Sequence, residues 1–392
     1  MSHQLLSHSP DLYRLMEEGY DVEISDSNLI IKHVPYVTSQ RTIAYGTLVS
    51  ELSTNGTATI KPRTHEVWFI GELPCDNHGR ELDQVINQRT ATNLGTGLMA
   101  TCSFSSKPPS GNYDDYYQKM TAYIRILSGF AKAIDPTVTA RIYPAHPTVE
   151  EESVFRYLDT ASSRSGISAI SGKLKQDKVA IVGLGGTGSY ILDLVSKTPI
   201  GEIHLYDDDT LYAHNAFRTP GAASLDELKG MPKKVEYLFS KYDPMHRHII
   251  PHAIRITRST VNELHGMDFV FMALDVGSAK RSIIEYLESQ KIPFIDCGMG
   301  VYRKDDSLGG VVRVTAVVEG HGLHVDQRIS FGDLDEDEYD WNIQTADLNM
   351  LNASLAVLKW KKLCGFYIDR KQELFSSYVI GRNQMVSEDR LE

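Results

Sequence analysis

Cysteine is scarce in this chain: four in 392 residues, Cys75, Cys102, Cys297 and Cys364, with no two in a CxxC pair. That excludes a zinc ribbon built on paired cysteines and a disulfide framework, so no structural zinc is expected. No apolar run approaches the length of a bilayer span. The opening stretch, MSHQLLSHSPDLYRLMEEGY, lacks the charged-then-apolar order of a secretory signal, so a cytoplasmic chain without a membrane partner is expected. Positive charge is in deficit as well. With 40 Lys and Arg against 51 Asp and Glu, the net charge of -11 argues against a broad nucleic-acid surface but leaves room for a local phosphate site. Internal repeats and low-complexity tracts are also missing, and 392 residues suffice for two or three domains, each with its own core.

Residues 20–75 alternate apolar and polar positions, as in YDVEISDSNLIIKHV and HEVWFIGEL, which predicts short strands. NYDDYYQKMTAYIRILSGFAKAI then places Tyr117, Met120, Ile124, Leu127 and Ala131 at helical spacing, so residues 1–148 read as a mixed α+β domain. Pro136, Pro144 and Pro147 interrupt regular structure and mark a linker. From residue 149 to 392 the pattern changes. KVAIVGL, EIHLYD, DFVFMAL, IPFIDCG and GGVVRVTAVV alternate with helical stretches, the signature of a Rossmann-like α/β parallel sheet wrapped by helices. DLNMLNASLAVLKWKKLCG predicts a helix with Leu348, Leu351, Leu355 and Leu358 on one stripe and a stop at Gly365.

The run KVAIVGLGGTGS turns a buried strand into a helix through Gly183, Gly185, Gly186 and Gly188. Glycines let the backbone approach a phosphate, and the helix start offers unpaired amides to bind it. The next strand ends in Asp207, placed for a ribose hydroxyl. At this point NAD, FAD and ATP are equally compatible. Downstream come Asp209, Asn215, Arg218, Lys233 and Lys234, and a third strand ending in Asp275. A triphosphate attacked at its α-phosphorus needs Arg, Lys and magnesium to neutralise its charge, whereas a dinucleotide needs few cations. Taken singly, these polar residues also read as a helix cap and solvated surface charges.

From about Arg164 to about Gly365 the order of these residues resembles the ThiF/MoeB/E1 family of adenylyltransferases, which activate ubiquitin-like and sulfur-carrier proteins. The family pattern is GxGGxGS, an acid pair, N-x-x-R, a lysine and a later aspartate. Here it falls on Gly183 to Ser189, Asp207 and Asp209, Asn215 and Arg218, Lys234 and Asp275. The resemblance implies ATP- and Mg2+-dependent adenylation of a carrier's C-terminal glycine, in a homodimer, with hand-over to an E2-like or other acceptor. By it, Asp275 holds magnesium, Asp207 binds ribose, and the glycine loop with Asn215 positions phosphates. Arg164, Arg218 and Lys234 stabilise the developing charge. The alternatives carried beside it are an NAD-dependent Rossmann oxidoreductase and adenylation of a small-molecule or tRNA-borne carboxylate.

Relatives often carry two CxxC pairs and a cysteine before the last helix, yet EGHGLHVDQRISFGDLDEDEYDWNIQ contains none. That leaves direct hand-over, a hydroxyl acceptor, or Cys75, with His78 nearby in sequence, as the acyl-accepting nucleophile. Cys297 reads as a small buried residue. His246, His248, His252, His321 and His324 read as scattered surface histidines without a ligand spacing. The region before the linker is expected to recognise the carrier or a downstream partner.

Overall fold

The structure is a computed structural model describing residues 5–390 except 7, 57, 96, 149–152, 275–276 and 332–342; the side chains of residues 163, 164, 277 and 278 also lie outside the description. The chain forms two compact units, Met1–Glu152 with Tyr157–Ile167, and Ser153–Arg156 with Ser168–Glu392.

The first unit begins with helix α1 (Pro10–Glu17) and strands β1 (Asp21–Ser25), β2 (Asn28–Val37), β3 (Ile43–Glu51) and β4 (Val67–Ile70). Strands β5 (Ile86–Gln88), β6 (Thr92–Asn93), β7 (Met99–Ala100) and β8 (Cys102–Phe104) follow, then helix α2 (Tyr116–Lys132). Six strands make an antiparallel sheet in the order β1-β2-β3-β4-β8-β5. Asp26 and Ser27 both take positive φ between β1 and β2, the two-residue turn whose twist matches paired strands. Helix α2 starts at Asp115, whose carboxylate accepts the Gln118 N–H, and lays Tyr116, Met120, Tyr123, Ile124 and Leu127 into the core. Lys119 is on that buried face too. Its ammonium donates to Ser50 Oγ at 2.8 Å, and burial lowers its pKa to about 8.

The second unit is built on eight strands: β9 (Lys178–Val182), β10 (Glu202–Tyr206), β11 (Ile249–His252), β12 (Phe269–Met272), β13 (Phe294–Lys304), β14 (Ser307–Val317), β15 (Glu373–Val379) and β16 (Gln384–Arg390). Their order is β11-β10-β9-β12-β13-β14-β15-β16. The first five run parallel, and every pairing from β13 onward is antiparallel. Strand order reverses between β9 and β12, which in an open α/β sheet places the ligand crevice at their carboxyl ends. The helices flanking this crevice are α3 (Gly186–Val195), α4 (Lys234–Tyr242), α5 (Gly277–Ser289) and α6 (Ala346–Leu363).

Two expectations change here. GGVVRVTAVV lies in β14, which returns antiparallel beside β13 after a turn too short for a helical crossover, so the parallel sheet stops at β13. On α6 the buried residues are Leu348, Asn349, Asn352, Ala353, Ala356, Val357, Lys359 and Trp360; of the expected stripe Leu348 is buried, Leu351 and Leu355 are half-buried and Leu358 is exposed. Where α6 meets the glycine-rich α3 the approach is close, with the Asn349 amide against Gly186, and further along the helix Val357 and Trp360 fill the core. Gly365 ends this helix region in the left-handed conformation, as its position predicts. No helix among the described residues is long and apolar enough to cross a membrane.

Candidate nucleotide site

The glycines of the β9–α3 turn have separate tasks. Gly183 has φ +88°, and a Cβ there would lie 2.5 Å from the Ala273 carbonyl on the neighbouring β12 connection. At Gly188 a Cβ would overlap the Gly183 carbonyl, and at Gly186 it would overlap the Asn349 amide. These three positions allow close packing. Gly185 differs, since a Cβ there would meet no atom within 4 Å. It opens on the cavity where α3 presents its first amides, a fit for a phosphate group.

Asp207, at the end of β10, is tied to this turn. Its Oδ2 accepts the Leu184 N–H at 2.7 Å and its Oδ1 accepts the Asp209 N–H at 2.9 Å. Lys234 opens α4 and is 6% exposed; its Nζ lies 2.7 Å from Asp209 Oδ2 and 3.6 Å from Asp207 Oδ1. Arg255 adds a second cation, with Nε 3.0 Å from Asp208 Oδ1 and an Nη atom 3.5 Å from Asp209 Oδ1. Burial works against ionising Asp209, but the Lys234 ammonium outweighs it, with help from Arg255 and Lys233, and holds the carboxyl below its usual range. Oxygens of Asp207, Asp208 and Asp209 come within 4.8 Å of one another, a hard donor set of the kind Mg2+ accepts.

These groups border a cavity of about 220 Å³. Gly183, Gly185, Gly186, Asp207, Asp209, Arg218 and Lys234 line it together. The Arg218 Nε is buried and has no hydrogen-bond partner among the described residues. Three residues expected at the ligand are elsewhere. Gly188 packs inside the turn. Asn215 is buried, and its Oδ1 accepts the Tyr212 N–H at 2.9 Å, so it shapes the segment carrying Arg218 and is not on the cavity wall. Lys233 donates to the Asp208 carbonyl at 2.6 Å, which fixes the acid segment against the start of α4. Asp275 lies outside the described residues, and Arg164, in the first unit, is among those whose side chains are not described.

The cavity also includes residues that spacing alone did not single out: Asp208, Arg255, Thr187, Gln344, Asn349 and Asn352. Arg255 stands three residues beyond the end of β11, at the crevice end of a parallel strand, and that position was its one signal. Asn349 and Asn352 are polar residues on the inward face of α6, visible once that face is known.

Cys75 is 1% exposed, and burial together with Glu81, Asp76 and Glu72 pushes its thiol pKa up. That environment disfavours thiolate and opposes the nucleophile reading. Cys297 is buried as expected, with its pKa pushed up chiefly by burial. The expectation of surface histidines fails at His246 and His324. Both are buried, and their Nε2 atoms bond the Ile200 and Ala316 carbonyls at 2.9 Å. Burial lowers the His246 pKa to about 4, so it is a neutral core histidine.

Residues 10–160 match a domain of unknown function (DUF6791), and residues 165–315 match the ThiF family. The tRNA threonylcarbamoyladenosine dehydratase of Haemophilus influenzae is 28% identical over 130 residues, 32% of this chain and 49% of that protein. Ubiquitin-like modifier-activating enzyme 5 of Aedes aegypti is 32% identical over 81 residues, 20% of each chain. The match thus spans half or less of the length of these curated relatives. Among solved structures, E. coli MccB with MccA-N7isoASN has a TM-score of 0.47 at 18% identity, covering 59% of this chain and 70% of that one. PaaA has a TM-score of 0.46 at 15% identity, covering 70% and 95%. With the glycine turn, the acid segment and their cations assembled at one strand-order reversal, residues 165–315 are a ThiF-family domain.

Proposed function

We propose that this chain adenylates a carboxylate with ATP and Mg2+, and that the carboxylate is the C-terminus of a ubiquitin-like or sulfur-carrier protein. The observation carrying this reading is the charge on the cavity wall. Arg218 offers a buried Nε without a partner among the described residues, and it lines one cavity with Lys234, Arg255 and the open Gly185 turn. Such a wall suits a triphosphate more than the two bridging phosphates of a dinucleotide. The NAD-oxidoreductase alternative leaves the buried Arg218 Nε without a task.

In the proposed reaction a carboxylate oxygen attacks the α-phosphorus, the new O–P bond forms, and the bond to the β-phosphate oxygen breaks with its electron pair leaving on pyrophosphate. No base is required, because the attacking carboxylate is already ionised at neutral pH. The Gly185 turn and the start of α3 take the phosphates, and Asp207 takes the ribose. Arg218 and Lys234 stabilise charge that develops on the phosphates, and Arg164 is assigned the same role across a homodimer. Asp275 would hold Mg2+, with the Asp207–Asp209 oxygens supplying further hard donors; the ion would neutralise phosphate charge. The N-terminal unit is assigned recognition of the carrier or of the acceptor that follows it.

A tRNA-borne carboxylate is the second reading, supported by the similarity of 130 residues to a tRNA threonylcarbamoyladenosine dehydratase. Exchange of labelled pyrophosphate into ATP, with carrier or modified tRNA supplied in turn, separates the two. Loss of exchange in Asp275→Ala with ATP binding largely kept supports adenylation at this site. NAD binding without exchange refutes it.

A further inference from the structure

The α6 side of the cavity holds an unsatisfied acceptor. Asn352 is 1% exposed and lines the cavity, and its Nδ2 donates to the Gly298 carbonyl at 3.1 Å. A carbonyl can only accept, so this bond settles which end of the amide is the nitrogen. The Oδ1 is then left buried with no partner among the described residues. One turn earlier, Asn349 is fully engaged: its Oδ1 accepts from Thr187 and its Nδ2 donates to the Thr345 carbonyl. Asn349 braces the glycine helix, whereas Asn352 uses only its nitrogen among the described residues. A buried acceptor left unpaired is destabilising, so its retention beside a cavity points to a donor that arrives with a ligand.

The sheet indicates which ligand. Adenosine belongs to the β9–β10–β11 half, where Asp207 and Arg255 stand, and the second reactant belongs beyond the reversal, over β12 and β13. Asn352 hangs over that second half through Gly298 of β13. The acceptor repels a carboxylate oxygen and attracts an N–H. We infer that Asn352 reads the incoming chain, its Oδ1 accepting the N–H of the last peptide linkage, one Cα away from the reacting carboxylate. The inference rests on the adenylation of a polypeptide C-terminus proposed above. The net charge of -11 favours a protein tail over an RNA-borne N–H.

The test uses the full-length protein with acetyl-Ala-Gly-Gly and its isostere with an ester oxygen in place of the last amide N–H. Pyrophosphate exchange gives kcat and KM, and titration beside a non-hydrolysable ATP analogue gives Kd. The amide should be preferred by roughly tenfold in KM and Kd with little change in kcat, and Asn352→Ala should erase that preference. If Asn352→Ala does not fold, the comparison of the two peptides on the native protein still decides. Equal use of amide and ester overturns the inference and leaves adenylation intact. Exchange driven only by threonylcarbamoylated tRNA, with neither peptide bound, also overturns it. Absence of exchange with every substrate removes the proposed function itself.

Discussion

Substituting alanine at Gly185 and at Gly188 should separate ligand binding from folding. At Gly188 the new methyl would overlap the Gly183 carbonyl, a backbone atom in a turn held by φ +88° and by the neighbouring Ala273 carbonyl. Neither can retreat, so the cost belongs at the upper end of overpacking, about 3 kcal/mol. For a unit of this size that lowers its melting temperature by roughly 6–12 °C. At Gly185 the methyl meets nothing, and the residue has φ -70°, a conformation alanine accepts. Stability should change by less than about 0.5 kcal/mol. The methyl would, however, occupy the surface assigned to phosphate, so ATP affinity should fall at least about tenfold, or 1.4 kcal/mol. Thermal melting and ATP titration of both variants supply the four numbers required. Native ATP affinity in Gly185→Ala, or melting as low as Gly188→Ala, would refute the division of tasks.

Lys234→Met removes the cation between Asp207 and Asp209. Breaking a buried pair costs about 3–5 kcal/mol, but Asp209 is half exposed and keeps Arg255, so about 2 kcal/mol is expected at pH 7. Asp209 has a depressed pKa in the folded state, so its contribution is present above the unfolded value near 3.9 and is lost as pH falls through the lower folded value. The urea-unfolding gap between Lys234→Met and the native protein should therefore narrow below about pH 4; a constant gap contradicts the assignment. Lys119 gives a slope of the same sign in the N-terminal unit, in an alkaline window. Its folded pKa of about 8 is below the unfolded value because burial penalises the charged form, so that penalty is fully present below about pH 8 and is relieved as pH rises from there toward the unfolded value. Hydrogen exchange in residues 116–132 should gain about 2 kcal/mol of protection between pH 8 and about 9.5, after correction for intrinsic exchange, and Lys119→Met should abolish the gain. Cys75 should react slowly with iodoacetamide in the native protein and rapidly after unfolding; fast native labelling would reinstate it as a nucleophile candidate.

The elements whose patterns come from local physics were legible in the chain. Val179–Val182 is a continuous apolar run between Asp177-Lys178 and Gly183, and the spacing of Tyr116 to Lys132 shows its helix directly. The direction of β14 was not legible, because a buried strand reads the same whether its neighbour runs with it or against it. The α6 stripe was legible only in part: Leu348 is buried, but Leu358 is exposed and two asparagines take inward positions, which leucine spacing alone does not foretell. At the site, Gly183, Asp207, Arg218 and Lys234 were found from order and spacing. Arg255 and Asn352 come to the cavity through tertiary packing, from β11's end and from a helix more than 150 residues past the glycine turn, so no local motif announces them.

The account's central claim is that the cavity beside Gly185 activates a carboxylate with ATP. Pyrophosphate exchange into ATP by the full-length protein with Mg2+ tests it most directly, using a panel of glycine-terminated ubiquitin-like carriers. Exchange that depends on the carrier's terminal carboxylate and disappears in Asp275→Ala is the predicted result. Exchange absent with every carrier and with modified tRNA, while NAD binds in the same cavity, would contradict it.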